Sequence, residues 1–156
     1  MPRTAKCLCG AFRVTVSAEP MLVNVCHCQD CQLRSGVPWS SAAYFPRETV
    51  RLDGPNKTYT RTSDAGNRIN HHFCPTCGVT VCWARETDST RFGIPVGAFN
   101  DPSFPAPTIS VWKKDDTGGR LSWKIWIIGT HNRLLADPDP VHSREVLGKL
   151  RPLQDI

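Results

Sequence analysis

Cysteine spacing constrains this chain more than any other feature. Eight cysteines occur in 156 residues. Seven of them fall in three short groups: Cys7-Leu8-Cys9-Gly10, Cys26-His27-Cys28-Gln29-Asp30-Cys31 and Cys74-Pro75-Thr76-Cys77-Gly78. An even count of cysteines fits a disulfide framework in a secreted protein, whereas C-x-C and C-x-x-C spacings are those of metal ligation. The opening Met1-Pro2-Arg3-Thr4-Ala5-Lys6 does not read as a signal peptide. Metal-binding thiolates and a cytoplasmic location are therefore the expectation.

Zinc takes about four soft or borderline ligands in a tetrahedron; structural sites are closed and catalytic sites keep one position open. Cys7, Cys9, Cys74 and Cys77 make a complete four-thiolate set. The glycine after each pair suits a tight knuckle with a positive φ. Residues i and i+2 of a regular strand lie too far apart to share one metal, so Cys7 and Cys9 must sit on a bend. Cys26, Cys28 and Cys31 supply three thiolates and no obvious fourth ligand, the pattern of an open site. The alternative is a second closed site, with His27, His71, His72 or Cys82 as fourth ligand. His27 lies between the ligands it would join and is read as a hydrogen-bond donor near the site. Cys82 is read as a small apolar residue buried in a strand.

The remaining composition is that of an ordinary globular domain, with 40% hydrophobic and 21% charged residues. The length fits one domain with a sizeable core, and no apolar run approaches a membrane span. The formal charge is +5; seven ligand thiolates and two zinc ions would bring it to about +2. Nucleic-acid binding is therefore not expected from charge, and the densest basic pair, Lys113-Lys114, is followed at once by Asp115-Asp116.

Alternation predicts a mainly β chain. Strands are expected over 12–16, 21–25, 40–45, 49–52, 57–61, 69–73, 79–83, 91–96, 108–112 and 121–128. A single helical turn is expected after Cys28, with Asp30 near its start and Gly36 as its stop. It would bring Cys31 round to Cys26 and Cys28. Thirteen prolines argue against long helices. Asp137-Pro138-Asp139-Pro140 is a break. It divides a domain over 1–135 from a tail over 136–156, where Ser143 can cap a short helix. The tail could pack on the body, contact a second subunit or be disordered, so a homo-oligomer is compatible with the sequence.

The order Cys7-x-Cys9-Gly10, Cys26-His27-Cys28-x-x-Cys31 with Ser35-Gly36, and Phe73-Cys74-x-x-Cys77-Gly78 resembles the glutathione-dependent formaldehyde-activating family, which includes centromere protein V-like proteins. The likeness covers about residues 5–130 and is far more specific than a lone C-x-x-C. It implies a β-tent fold, in which small antiparallel sheets surround a structural zinc on Cys7, Cys9, Cys74 and Cys77. It also implies a second, catalytic zinc on Cys26, Cys28 and Cys31, giving two per chain. Gln32 stands where many members carry a basic residue, with Arg34 two positions on. Cys82 is outside the family motif, and the match loosens after Trp112.

The family's namesake reaction joins formaldehyde to glutathione, and the reverse is a carbon–sulfur lyase step. The implied partner is a small-molecule thiol, glutathione or its aldehyde adduct. A free thiol has a pKa of about 8.5, so a metal that deprotonates it supplies the nucleophile. Glutathione carries two carboxylates, which makes Arg34, Arg47, Arg51, Arg68 and His71 candidate substrate contacts, with Arg34 and His71 foremost. Trp39, Phe45 and Trp83 could line a pocket, although such residues in β-rich domains are usually core. The competing reading is a non-catalytic, zinc-stabilised module that engages protein or nucleic acid through its β surface.

Overall fold

The computed structural model of the chain describes residues 1–112 except Asp64 and Ser89. The expected strand over 121–128, the 136–156 tail, the boundary at 135 and the run Lys113-Lys114-Asp115-Asp116 lie outside the described residues.

The described residues form ten strands: β1 (Arg3–Lys6), β2 (Arg13–Val16), β3 (Leu22–Cys26), β4 (Ser40–Pro46), β5 (Val50–Asp53), β6 (Lys57–Thr62), β7 (Arg68–Phe73), β8 (Thr80–Arg85), β9 (Arg91–Pro95) and β10 (Ile109–Val111). One α-helix, α1 (Gln29–Ser35), follows β3. Nine strands fall where alternation placed them. β1 was not anticipated, because Arg3-Thr4-Ala5-Lys6 holds one apolar residue, the fully buried Ala5.

β1, β2 and β5 form a three-stranded antiparallel sheet. The other strands form a seven-stranded sheet in the order β10-β3-β4-β9-β8-β7-β6. The fold is thus mainly β, as expected. The larger sheet departs from an all-antiparallel pattern at one edge, where β10 runs parallel to β3. The proline-rich stretch between β9 and β10 carries the chain back to that edge.

The large sheet has two different faces, because successive side chains of a strand point opposite ways. Val23, Ala43, Phe45, Cys82, Phe92 and Ile94 share one buried core with Ala5, Val14 and Val16 of the small sheet. The opposite face carries Leu22, Tyr44, Trp83, His71 and Ile69. Register sets this arrangement: His71 pairs with Trp83, Trp83 with Gly93, Gly93 with Tyr44 and Tyr44 with Leu22. One row of cross-strand neighbours therefore lies side by side on one surface.

Phe45 is fully buried and meets the Phe99 ring with centroids 5.9 Å apart. Truncating it opens a cavity in the one core that joins the sheets. Phe45→Ala is expected to cost about 3–5 kcal/mol. Urea unfolding of the metal-loaded protein checks this; a loss below about 1 kcal/mol would mean that the core closes over the gap.

Candidate functional site

Two sulfur clusters occur among the described residues. Cys7, Cys9, Cys74 and Cys77 form one, and Cys26, Cys28 and Cys31 the other; within each, the sulfurs lie within 4.8 Å of one another. No histidine or carboxylate belongs to either group. Both divisions agree with the sequence spacing.

The four-sulfur cluster joins the loop after β1 to the turn between β7 and β8. Gly10 and Gly78 both take a positive φ, at 76° and 74°. Each turn can therefore fold back so that main-chain N–H groups face the sulfurs. Phe12 N–H donates to Cys7 Sγ at 3.2 Å. The N–H groups of Cys9 and Val79 hold the Cys77 thiol down to about 6, and that of Cys77 holds Cys74 low. Sulfur separations are 3.5 Å for Cys7–Cys9 and 3.6 Å for Cys9–Cys74. Tetrahedral thiolates on an ion at about 2.3 Å stand about 3.8 Å apart. This donor set fits one metal ion with nothing left over.

The three-sulfur cluster sits at the end of β3 and the start of α1. Cys26 ends the strand, and Cys28 is the residue before the first helical turn, with an extended backbone at φ −62° and ψ 149°. The helix then returns Cys31 to its partners. It stops at Gly36, as expected. The contact with Cys31 holds the Cys26 thiol low, while the same contact, then burial, pushes Cys31 up. Three sulfurs this close cannot all ionise without a cation to balance them. The set can hold a metal ion and leaves a coordination position for another group.

A cavity of about 320 Å³ adjoins this cluster and is lined by Cys26, Cys28 and Cys31. Its floor is the cross-strand row on the large sheet. Gly93 keeps that floor flat: a Cβ there would collide with the indole of Trp83. Helix α1 has no buried residue, and it presents Asp30, Cys31 and Arg34 to the cavity. Arg34 donates to Ser40 Oγ at 2.6 Å and stacks over the Trp83 ring at 4.5 Å. Arg61, from β6, pairs with Asp30 and donates to His71 Nε2 at 3.3 Å.

Arg34 and His71, the foremost candidates from the sequence, both line the cavity. Arg47, Arg51 and Arg68 do not. Arg47 lies over the Phe92 ring and Arg68 pairs with Glu86 at 2.7 Å. The cations that do line it, Arg61, Arg85 and Arg91, were missed, as were Asp30 and Tyr44. The strand register alone carries that information. Trp83 lines the cavity, whereas Phe45 is core.

The alternative fourth ligands are accounted for elsewhere. His27 Nε2 meets Ser110 Oγ at 3.1 Å. His72 Nδ1 meets Thr58 Oγ1 at 3.1 Å, and Cys82 pairs with His72 on the core side of the sheet. Burial pushes the Cys82 thiol up to about 12, so it behaves as an inert apolar group.

Burial, then the charges of Arg34 and Arg61, lower the His71 pKa to about 4. The unfolded chain takes up this proton near pH 6.5, and the folded protein refuses it until about pH 4. Stability contributed by neutral His71 is therefore present above 6.5, falls through that window, and loses nothing more below it. His71→Asn is expected to remove about 2 kcal/mol of the stability lost between pH 7 and pH 5. Urea unfolding of both proteins at the two pH values checks this, since the thiolates contribute equally to each. Equal losses would contradict it.

Comparison with known proteins follows the same lines. No helix among the described residues is long and apolar enough to cross a membrane. Among curated proteins, none matches the chain significantly. A crystal structure of a Rhodobacter sphaeroides protein, a structural-genomics target, shares the fold with a TM-score of 0.52 and 22% identity, over 69% of this chain and 98% of that one. The family described as glutathione-dependent formaldehyde-activating enzyme matches residues 2–115. The chain belongs to that family.

Proposed function

We propose that this chain is a zinc-dependent carbon–sulfur lyase or synthase, forming or cleaving the adduct of glutathione, or a related thiol, with an aldehyde. One observation carries the reading: a cluster of three sulfurs, not four, adjoins a cavity large enough for a small molecule. Family membership supports the same chemistry. In this reading Cys7, Cys9, Cys74 and Cys77 hold a structural zinc, and Cys26, Cys28 and Cys31 hold the second.

Zinc on three thiolates would supply one thing, an environment in which an incoming thiol is deprotonated at neutral pH. The chain's own residues do the rest. Arg34 lies against Cys31 and offsets part of the cluster's negative charge; the same contact partly counters the burial that lowers its pKa. Trp83, Tyr44, Leu22 and Ile69 keep the reacting end of the substrate away from bulk water. Arg85 and Arg91 line the same cavity, Arg91 paired there with Asp88 at 2.7 Å, and Arg85 suits a carboxylate of glutathione. A closed second site on a binding module would have no use for this cavity.

The two clusters have opposite expected roles, and substitution separates them. Cys74→Ala should cost the structural ion and leave a largely unfolded protein, because metal affinity in such sites is folding free energy. Cys28→Ala should keep native circular dichroism, bind about one zinc instead of two, and lose at least about 100-fold in cleavage of S-hydroxymethylglutathione. Full metal content with full activity in Cys28→Ala would refute the assignment.

A further inference from the structure

Tyr44 is half-buried and stands on the cavity floor. In the register it faces Gly93, and Gly93 in turn faces Trp83. With no side chain on Gly93, the Nε1 edge of the Trp83 indole lies over that residue, on the way from β8 to β4. The indole meets the Tyr44 ring edge-on, with centroids 6.5 Å apart and planes at 85°. An indole N–H can only donate, so the phenol oxygen accepts from Trp83 and its own O–H points away from the indole. The sulfurs are close by. Burial, then the charges of Cys31 and Cys26, push the phenol pKa up, which sets the hydroxyl within Coulomb reach of both. Side-chain contacts run the same way: Arg34 meets Cys31 and lies over the Trp83 ring at 4.5 Å, and Trp83 meets Tyr44.

The other cations of the wall stand farther from the cluster. Cys26 is opposite Ser40 on β4, and Tyr44 is four residues along that strand. Arg91 is opposite Pro46, two residues beyond Tyr44, and Arg85 is opposite Ile69, two residues beyond Trp83 on the same side. Arg85 is exposed, whereas Arg91 pairs with Asp88 and lies over the Tyr44 ring at 6.0 Å. We propose that the Tyr44 hydroxyl is the hydrogen-bond donor to the oxygen on the substrate's reacting carbon, and that the Trp83 indole positions it. This rests on the carbon–sulfur reading of the site. When the adduct forms, a thiolate lone pair makes the carbon–sulfur bond, the carbonyl π pair moves onto oxygen, and that oxygen takes a proton from solvent. Cleavage reverses each bond change. Tyr44 keeps its proton throughout and donates a hydrogen bond that strengthens as charge builds on the oxygen. Accepting from Trp83 polarises the O–H and strengthens that donation further. Trp83 is a positioning residue, because it acts through the phenol.

Two measurements on the metal-loaded full chain test this. The first is steady-state cleavage of S-hydroxymethylglutathione by Tyr44→Phe, which removes one oxygen and keeps the ring. This variant should hold two zinc ions and bind glutathione within about twofold of wild type, while kcat falls about 100-fold. Arg85→Met should do the reverse, weakening glutathione binding about tenfold with kcat held. Full activity of Tyr44→Phe overturns the proposal, as does an equal loss of kcat in Arg85→Met. Loss of the second zinc or of glutathione binding in Tyr44→Phe would make the hydroxyl a structural group and overturns it too. The second is the 1H–15N spectrum of the five tryptophan indoles, with Trp83 assigned by its disappearance in Trp83→Phe. In Tyr44→Phe the Trp83 N–H should move upfield and exchange faster with solvent; an unmoved signal overturns the positioning by Trp83. If wild-type protein neither cleaves the adduct nor binds glutathione, the carbon–sulfur reading falls and takes the assigned oxygen with it; the indole signal tells that failure apart from a failure of the Trp83–Tyr44 contact.

Discussion

Close approach of sulfurs is the constraint on which the rest of this structure depends. Cys7 and Cys9 are separated from Cys74 and Cys77 by most of the described chain, yet the four sulfurs come within 4.8 Å of one another. Neutral thiols gain little from such a gathering, and thiolates repel. A divalent cation reverses the sign of both terms, and its binding free energy then becomes folding free energy. The knuckles at Gly10 and Gly78 prepare for it by pointing N–H groups inward. Once the loop after β1 is tied to the β7–β8 turn, the two sheets share one core, with Phe12, Cys7 and Cys74 in the same buried cluster as Phe45 and Val81.

The three-sulfur cluster and its cavity lie on the other face of the large sheet. That separation lets one set of strands serve two demands. Ile69 and His71 of β7, Trp83 and Arg85 of β8, Gly93 of β9, Leu22 of β3 and Tyr44 of β4 line the cavity. Val23, Ala43, Phe45, Val81, Cys82, Phe92 and Ile94 of the same sheet pack the core. A side chain on the floor can thus change without disturbing the core directly, whereas a shift of register by one residue would exchange the two surfaces. Gly93 shows how tight the floor is, since the indole of Trp83 occupies the space where any side chain would stand. Arg34 then rests on that indole and meets Cys31, so helix α1, which buries nothing of its own, is held by the site it helps to build.

Both sulfur clusters were legible in the sequence because ligand spacing is local and the chemistry tolerates few residue types. The strands were legible from alternation, and the helical turn from Asp30 and Gly36. The cavity wall was not. Arg61 reaches His71 because β6 and β7 pair with Tyr59 opposite His71 and Arg61 opposite Ile69, and no local pattern encodes that register. The same reasoning explains why Arg68 does not line the cavity. It lies one residue from Ile69, so its side chain turns to the other face and pairs with Glu86. Reading a strand's period shows that two faces exist; only pairing shows which residues of different strands become neighbours.

In the proposed function the three-sulfur cluster holds a metal with a position open to a thiol. Native mass spectrometry of the reduced, zinc-loaded protein during a glutathione titration tests it most directly. Two zinc ions per chain and a single saturable glutathione adduct on the two-zinc form are expected. Two zinc ions with no adduct of glutathione, nor of a small thiol such as 2-mercaptoethanol, would contradict it, because a three-thiolate site open to a thiol could not remain indifferent to both.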